Sequence, residues 1–415
     1  MGDEGRRVRG AEEPRGRGVE GLAVLMALAM GCSEGVAAGG GRAGAGSGGA
    51  SVTAGSGGSA ADGGAGGGSA AGGVEPSTAG SGGGGGSASS AGPMKLISRG
   101  VPAFASSGLA ESANDEQPNV AWSSESLPAW LAYDVSGVAA EDRRQVLLAW
   151  YCYWADYLVA EPTPEQMLPL DYVVELNAAA GGGEPPAAGW TQVASATGNA
   201  RSARQHVFEL AGANWVRLSV TKSSDAAKVM VDVDLYSAPA GGSDGWLFMG
   251  DSITYMTTQR AFSNLPELVS EAVAGRVPVV VDGALGGTNT TTAQDIIETS
   301  LAQFEGRYIV LAYGTNDHAS EYKMESLVQS VIAAGKVPVV PHVPWSDQKL
   351  AEGPLLNQQI DALYAQYPEI LRGPDLWAAF ENKLEYIPAG DVHPNTEGME
   401  YLRVEWSKVM AAAAP

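Results

Sequence analysis

"GWLFMGDSIT", residues 245–254, runs an unbroken apolar stretch into a turn of glycine, aspartate and serine. Four consecutive apolar residues, Trp246 to Met249, leave no side of a strand for water, so this strand must be covered on both faces. The turn that follows suits a helix start, because Asp and Ser are good N-cap residues. The combination recurs downstream. "VPVVVDG", "RYIVLAYG" and "KVPVVPH" are short and apolar, and helical patterns such as "AQDIIETSLAQF" and "GPLLNQQIDALYAQYP" separate such runs. Apolar strands alternating with helices predict a parallel sheet with helices on each side. Ligands of such sheets gather beyond the carboxyl ends of the strands, so the residues that follow each strand matter most.

After the first strand, Ser252 presents a hydroxyl at that edge, and the adjoining helix start directs backbone N–H groups to the same spot. The bland alternative is a simple turn and N-cap. "GALGGTNTT" follows the second strand, and its glycine pair lets backbone approach a ligand closely. It is no phosphate loop, since neither GxxxxGK[ST] nor GxGxxG is present. "YGTNDH" follows the third strand, where Asn316 either turns its amide to the edge or closes an Asx turn on its own backbone. Far downstream, "AGDVHPNTEG" carries His393, one of only four histidines. Imidazole is suited to removing a serine proton near neutral pH.

GDS, the glycine pair, GxND and a late DxHP, in that order and each beyond its own strand, resemble the SGNH, or GDSL, hydrolase family from about Trp246 to the C-terminus. The resemblance implies a flavodoxin-like three-layer α/β sandwich with a parallel sheet. It implies Ser252 as nucleophile, His393 as base, and an oxyanion hole made of the Ser252 N–H, the Gly287 N–H and the Asn316 amide. Such donors stabilise the negative oxygen formed when a serine attacks an acyl carbon. Asp391 is the expected third member of the triad, with one departure: the family usually places this aspartate three residues before the histidine, where this chain has Gly390. Asp391 stands two before. A small backbone change would let it accept from the His393 ring; the alternatives are a backbone carbonyl or another carboxylate such as Glu385. Asp375 reads as a strand-end structural residue. His206 reads as structural, His318 as adjoining the donor turn, and His342 as a packed ring or a substrate contact. Neither His318 nor His342 has a carboxylate at a comparable sequence offset.

Upstream, the period is two. In "KVMVDVDLY", Val229, Val231, Val233 and Leu235 share one face, with Lys228, Asp232 and Asp234 on the other; "WVRLSV" alternates likewise. These are half-buried antiparallel strands, and with turn clusters such as "GGGEPPAAG" they predict an all-β sandwich over residues 94–240, ahead of the α/β domain at 241–415. Trp122, Trp130, Trp150, Trp154, Trp190 and Trp215 all fall in it. "AWSSESLPAWLAYDVSG", "VLLAWY" and "GWTQVASATGN" resemble discoidin-like (galactose-binding-like) jelly rolls, a resemblance that implies a carbohydrate-binding role. Tryptophan in an alternating strand is as well explained by the core, so no residue is assigned to it.

Residues 33–93 are almost entirely Gly, Ala and Ser, with no aromatic side chain. Such a segment has nothing to bury and reads as a disordered tether, spanning about 45 Å as a Gly/Ser coil. Residues 1–32 pair several arginines with the apolar run "GLAVLMALAMGC", too short for a membrane span, and read as an export signal. "AMGC" resembles a lipobox, although Ala29 stands where Leu is usual, and implies lipidation at Cys32. Ser33 then favours the outer membrane or cell surface; otherwise the chain is secreted. Cys152 reads as a small buried hydrophobe. A net charge of −22 excludes nucleic acid and anionic headgroups as partners, leaving a lipid anchor as the membrane contact. No metal-ligand spacing occurs, so no cofactor is expected.

The expected function is that of a carboxylic ester hydrolase acting through an acyl-enzyme on acylated, above all acetylated, carbohydrate. The alternatives are a lipolytic or short-chain carboxylester hydrolase, and a glycan-binding adhesin whose hydrolase domain is inactive.

Overall fold

The computed structural model describes residues 93–115, 120–152, 155–158, 161–239, 244–259 and 263–413. The export signal, Cys32, nearly all of the tether and Trp154 lie outside them. Ten strands come first: β1 (Lys95–Leu96), β2 (Ala103–Ala105), β3 (Trp122–Ser123), β4 (Ala129–Asp134), β5 (Gln145–Tyr151), β6 (Pro169–Asn177), β7 (Thr191–Ala196), β8 (Ala203–Glu209), β9 (Trp215–Ser223) and β10 (Met230–Ser237). They form two antiparallel sheets, β1-β10-β5-β8 with β3 also on β10, and β2-β4-β9-β6-β7. Between the sheets lie Trp122, Leu131, Leu148, Trp150, Tyr172, Leu218 and the Val231, Val233, Leu235 face of β10. The Tyr133 hydroxyl crosses the gap to donate to the Val233 carbonyl at 2.8 Å. Trp122, Trp150 and Trp215 are core residues, while Trp130 and Trp190 are half-buried.

One expectation needs correcting. The opposite face of β10, which the alternation marks as polar, is not in water: Asp232 and Asp234 are 5% and 3% exposed. Period-two patterning distinguishes two faces without saying what covers the second one. Here the α/β domain covers it. Leu147, Ala149, Tyr151, Ala203 and Tyr236 share one apolar cluster with Leu247, Met249, Val279 and Val281 of that domain. Arg201 donates to the Thr299 carbonyl at 3.1 Å, Arg204 to Gln303 at 3.2 Å, and the Val277 N–H to the Met94 carbonyl at 3.1 Å.

The second domain carries β11 (Gly245–Gly250), β12 (Val279–Asp282), β13 (Tyr308–Ala312), β14 (Val337–Val340) and β15 (Leu371–Arg372), all parallel in the order β12-β11-β13-β14-β15. This is the flavodoxin-like order. Its helices are α1 (Ser252–Thr258), α2 (Leu265–Ala272), α3 (Thr290–Leu301), α4 (Met324–Ala333), α5 (Gly353–Gln366), α6 (Leu376–Phe380) and α7 (Thr396–Ala412). Leu247, Met249, Ile309 and Leu311 point to α3, α4 and α5. Trp246, Phe248 and Val310 point to α2, α6 and α7. The layers are therefore three, as the two-sided apolar strands require. Buried Arg276 holds Asp244 through Nε (2.7 Å) and Nη2 (2.8 Å), and donates Nη1 to the carbonyls of Ala411 and Ala413. That contact ties the start of β11 to the end of α7.

Candidate active site

Ser252 opens α1 directly after β11. Asp251 is the N-cap in extended conformation, and its carboxylate accepts the Ile253 N–H at 3.0 Å. The side chain of Ser252 is thereby fixed at the sheet's carboxyl edge. His393 arrives from the other end of the chain, two residues before the N-cap of α7, where Asn395 accepts the Gly398 N–H at 2.9 Å. Ser252 Oγ lies 2.8 Å from His393 Nε2. Nδ1 of the same ring lies 3.0 Å from Asp391 Oδ1. A carboxylate on Nδ1 draws the ring proton there and leaves the Nε2 lone pair facing the serine hydroxyl.

The departure in spacing has a local answer. Gly390 adopts φ +79, a left-handed conformation that costs glycine little, and the Asp391 N–H closes a turn on the Pro388 carbonyl at 3.1 Å. Asp391 Oδ1 then accepts from Val392 N–H (2.7 Å), His393 N–H (3.0 Å) and the ring. Although partial burial works against it, these donors and the His393 charge hold the Asp391 carboxyl below the ordinary aspartate range. Among the described residues no contact joins Glu385 or Asp375 to His393. Glu385 offers only its carbonyl, to Asn395, and Asp375 caps α6.

The glycine loop runs alongside. A Cβ on Gly286 would stand 4.0 Å from Ser252 Cβ, and Gly287 is left-handed at φ +75 with open space where a side chain would begin. The N–H groups of Ser252 and Gly287 have no hydrogen-bond acceptor among the described residues. Asn316 does not bond its own backbone; its amide donates to the Thr288 carbonyl at 2.9 Å, tying the third-strand turn to the glycine loop and leaving a second N–H. Its neighbour Asp317 reinforces the tie by accepting from the Thr290 N–H at 3.0 Å and from the Thr290 hydroxyl. Sequence reasoning missed Thr288 and Asp317, although the "ND" pair was in view; only the fold shows that Asp317 caps α3 instead of its own turn.

Burial dominates the charge balance around Ser252. It pushes the Asp251 carboxyl up to about 6, against hydrogen bonds from Ile253, Thr315 and Thr254 and the charge of His393. Burial likewise pushes Asp282, at the end of β12, up to about 7, with Asp156 of the sandwich adding like-charge repulsion and the Ala284 N–H and Thr258 hydroxyl opposing. His393 itself stays reachable, its side chain 27% exposed.

The other histidines have distinct settings. His206 Nε2 meets the Tyr172 hydroxyl at 2.8 Å, and burial, aided by the Arg204 charge, depresses its pKa to about 4. His318 Nδ1 is 3.8 Å from Glu352. His342 has carboxylates from far along the chain, Asp361 at 3.2 Å on Nε2 and Asp375 at 3.0 Å on Nδ1. Both come from other elements, which sequence spacing does not reveal. Cys152 is buried with Sγ 2.9 Å from the Gln166 carbonyl. Among the described residues no group of His, Cys, Asp or Glu is placed to hold a metal ion, and no helix is long and apolar enough to cross a membrane.

A serine hydroxyl against an imidazole, a carboxylate behind it and unpaired N–H groups beside it are the parts an acyl transfer needs. Residues 248–401 match the model of the GDSL-like Lipase/Acylhydrolase family. That match covers most of the α/β domain, which an antiparallel β-sandwich precedes. Among solved structures the chain is similar to Axe2, an acetylxylan esterase from Geobacillus stearothermophilus, at 20% identity over 40% of this chain and 93% of that one, TM-score 0.34. It is also similar to chitosan-binding module 2 of a chitosanase/glucanase from Paenibacillus sp. IK-5, at 17% identity over 34% of this chain and 98% of that one, TM-score 0.26. No curated protein matches the chain.

Proposed function

We propose that this protein is an exported, surface-tethered serine esterase that removes acyl groups, above all acetyl, from carbohydrate through an acyl-enzyme on Ser252. The observation that carries the reading is the 2.8 Å approach of Ser252 Oγ to His393 Nε2. Oγ attacks the acyl carbon as its proton passes to Nε2, and the resulting oxyanion is held by the N–H groups of Ser252 and Gly287 and the Asn316 amide. Collapse breaks the ester C–O bond, and His393 returns the proton to the departing alcohol oxygen. Water, deprotonated by the same Nε2, then attacks the acyl-serine carbon; His393 protonates Oγ, and the carboxylic acid leaves. Asp391 orients the ring and steadies its positive charge.

The carbohydrate assignment is supported by the discoidin-like sandwich and by its joint burial with the α/β domain, which holds the two as one compact unit. Cys32 as lipid anchor and residues 33–93 as tether complete the proposal; palmitate incorporation that Cys32→Ser abolishes tests them. Ser252→Ala and His393→Ala should each abolish turnover, and a fluorophosphonate should label Ser252. A folded protein that resists labelling would instead be a glycan-binding adhesin. One observation favours longer acyl chains: Leu350, two residues beyond a contact with the histidine loop, is 57% exposed. Acetate release from acetylated xylan, measured beside hydrolysis of a medium-chain ester, separates the two esterase readings.

A further inference from the structure

The arm that delivers Asp391 and His393 has almost nothing packed against it. Between Ile387 and Pro394, both buried, residues 388–391 are exposed, and Val392 and His393 are only half-buried. Packing therefore does not set its position. Hydrogen bonds must, and apart from the turn that the arm makes on itself and the contact of His393 with Ser252 they converge on Gly390. The Gly390 N–H donates to both carboxylate oxygens of Asp347, at 3.1 and 3.0 Å, and the Gly390 carbonyl accepts from Gln348 Nε2. Asp347 and Gln348 belong to a single helical turn, Asp347–Lys349, that follows β14. Just before that turn, Trp345 and Ser346 are buried, at 5% and 1% exposure, so its base is fixed to the carboxyl edge of the sheet.

We infer that Asp347, seconded by Gln348, is a positioning residue that holds the Asp391–His393 arm at its working distance from Ser252. The inference rests on the esterase reading for its consequence in turnover. Gly390 occupies the place where family members put the triad aspartate, and no side chain there can brace the arm. The clamp takes over that bracing, Asp347 fixing the Gly390 N–H and Gln348 its carbonyl, immediately before Asp391. A left-handed residue with open space around its Cβ position is free to swing without such a hold. Small misplacement of a reacting group costs up to about 10²-fold in rate.

The test uses the whole exported protein and the variants Asp347→Ala, Asp347→Asn and Gln348→Ala. Three quantities are read: kcat and KM on a short-chain aryl ester, the thermal midpoint, and the low-field NMR signal of the His393 Nδ1 proton. Asp347→Ala should lower kcat about 10- to 100-fold while KM moves less than about twofold, with an unchanged midpoint and a broadened or lost Nδ1 signal. Asp347→Asn, which still offers an oxygen to the Gly390 N–H, should recover kcat and the signal. Gln348→Ala should fall between. Wild-type kcat and signal in Asp347→Ala would overturn the inference, as would an Asp347→Asn as impaired as the alanine. The NMR signal needs no turnover: an inert, unlabelled wild type whose signal still depends on Asp347 would sink the esterase reading and keep the clamp. An active, labelled wild type with Asp347→Ala indistinguishable from it would sink the clamp alone.

Discussion

Replacing Asp391 separates what its charge contributes from what its oxygen contributes. The carboxylate uses one oxygen, Oδ1, for all three recorded donors, the N–H groups of Val392 and His393 and the ring Nδ1. Asparagine can keep that oxygen in place and turn its NH₂ group outward to the solvent, since the Asp391 side chain is 50% exposed. Asp391→Asn should therefore preserve the His393 tautomer and lose only the attraction between carboxylate and imidazolium. With charge centres roughly 4 Å apart, that attraction is about 4 kcal/mol at an effective dielectric of 20 and about 1 kcal/mol in water. Half exposure draws the value toward the lower end, about 1–2.5 kcal/mol, or a loss of about 5- to 70-fold in kcat. Asp391→Ala removes the acceptor as well, leaves the ring free to take the wrong tautomer, and should cost about 10⁴-fold. The assay is kcat on an aryl acetate at pH 8, with folding checked by circular dichroism. Asp391→Ala within twofold of wild type would assign the orienting role elsewhere. Asp391→Asn as damaged as the alanine would refute the argument that one oxygen suffices.

Asn316→Ala should lower kcat about 10²–10³-fold with little change in KM, because it removes one oxyanion donor; stopped-flow ester hydrolysis checks it. Asp282 should make stability fall with rising pH. Its folded pKa of about 7 lies above the ordinary 3.8, so the native state binds the extra proton between those values, and the cost of the half-buried charge is fully present only above about 7. Asp282→Asn keeps an acceptor for the Ala284 N–H and should raise Tm at pH 8.5 by more than at pH 5.5; a gap that does not widen with pH contradicts this. Arg276→Met strands the buried Asp244 carboxylate and frees the end of α7, and should cost about 3–5 kcal/mol in urea unfolding.

The α/β layer order was legible because burial on both faces writes itself into composition: Trp246 to Met249 admit no other environment. β15 was not, since two residues, one of them the exposed Arg372, carry no pattern. Ser252, the glycine loop and Asn316 were legible as types in order, each after its own strand, and His393 by its place in the late DxHP. What sequence withheld was reach. Asp347 lies 43 residues from Gly390, and Asp361 lies 19 from His342; such partners meet only because β14 and its neighbours end at one edge. The shifted aspartate shows the same limit from the other side. Its altered spacing was plain, but the turn at Gly390 that compensates for it is a property of φ angles.

The sandwich was legible as a fold and misread as a neighbour. Alternation in β10 left its Asp232 and Asp234 face to water, and profiling the chain without residues 94–240 would seem the direct way to learn what the sandwich contributes. The buried interface argues otherwise. Deleting the sandwich would expose the apolar surface that Leu147, Ala149 and Tyr236 now cover and would strip the Thr299 carbonyl and Gln303 of their arginine donors. An exposed apolar face of that kind favours aggregation, so lost activity in the truncated chain would report folding, not substrate choice. Burial is the main cause that raises the Asp282 carboxyl at the end of β12, and the Asp156 charge on the sandwich adds to it. Point substitutions on the sandwich surface away from this interface, judged against soluble and polymeric acetylated substrates, are the perturbations that leave the catalytic domain intact. A loss confined to the polymer would then mark a sugar-binding surface; equal rates on both would reduce the sandwich to a packing partner.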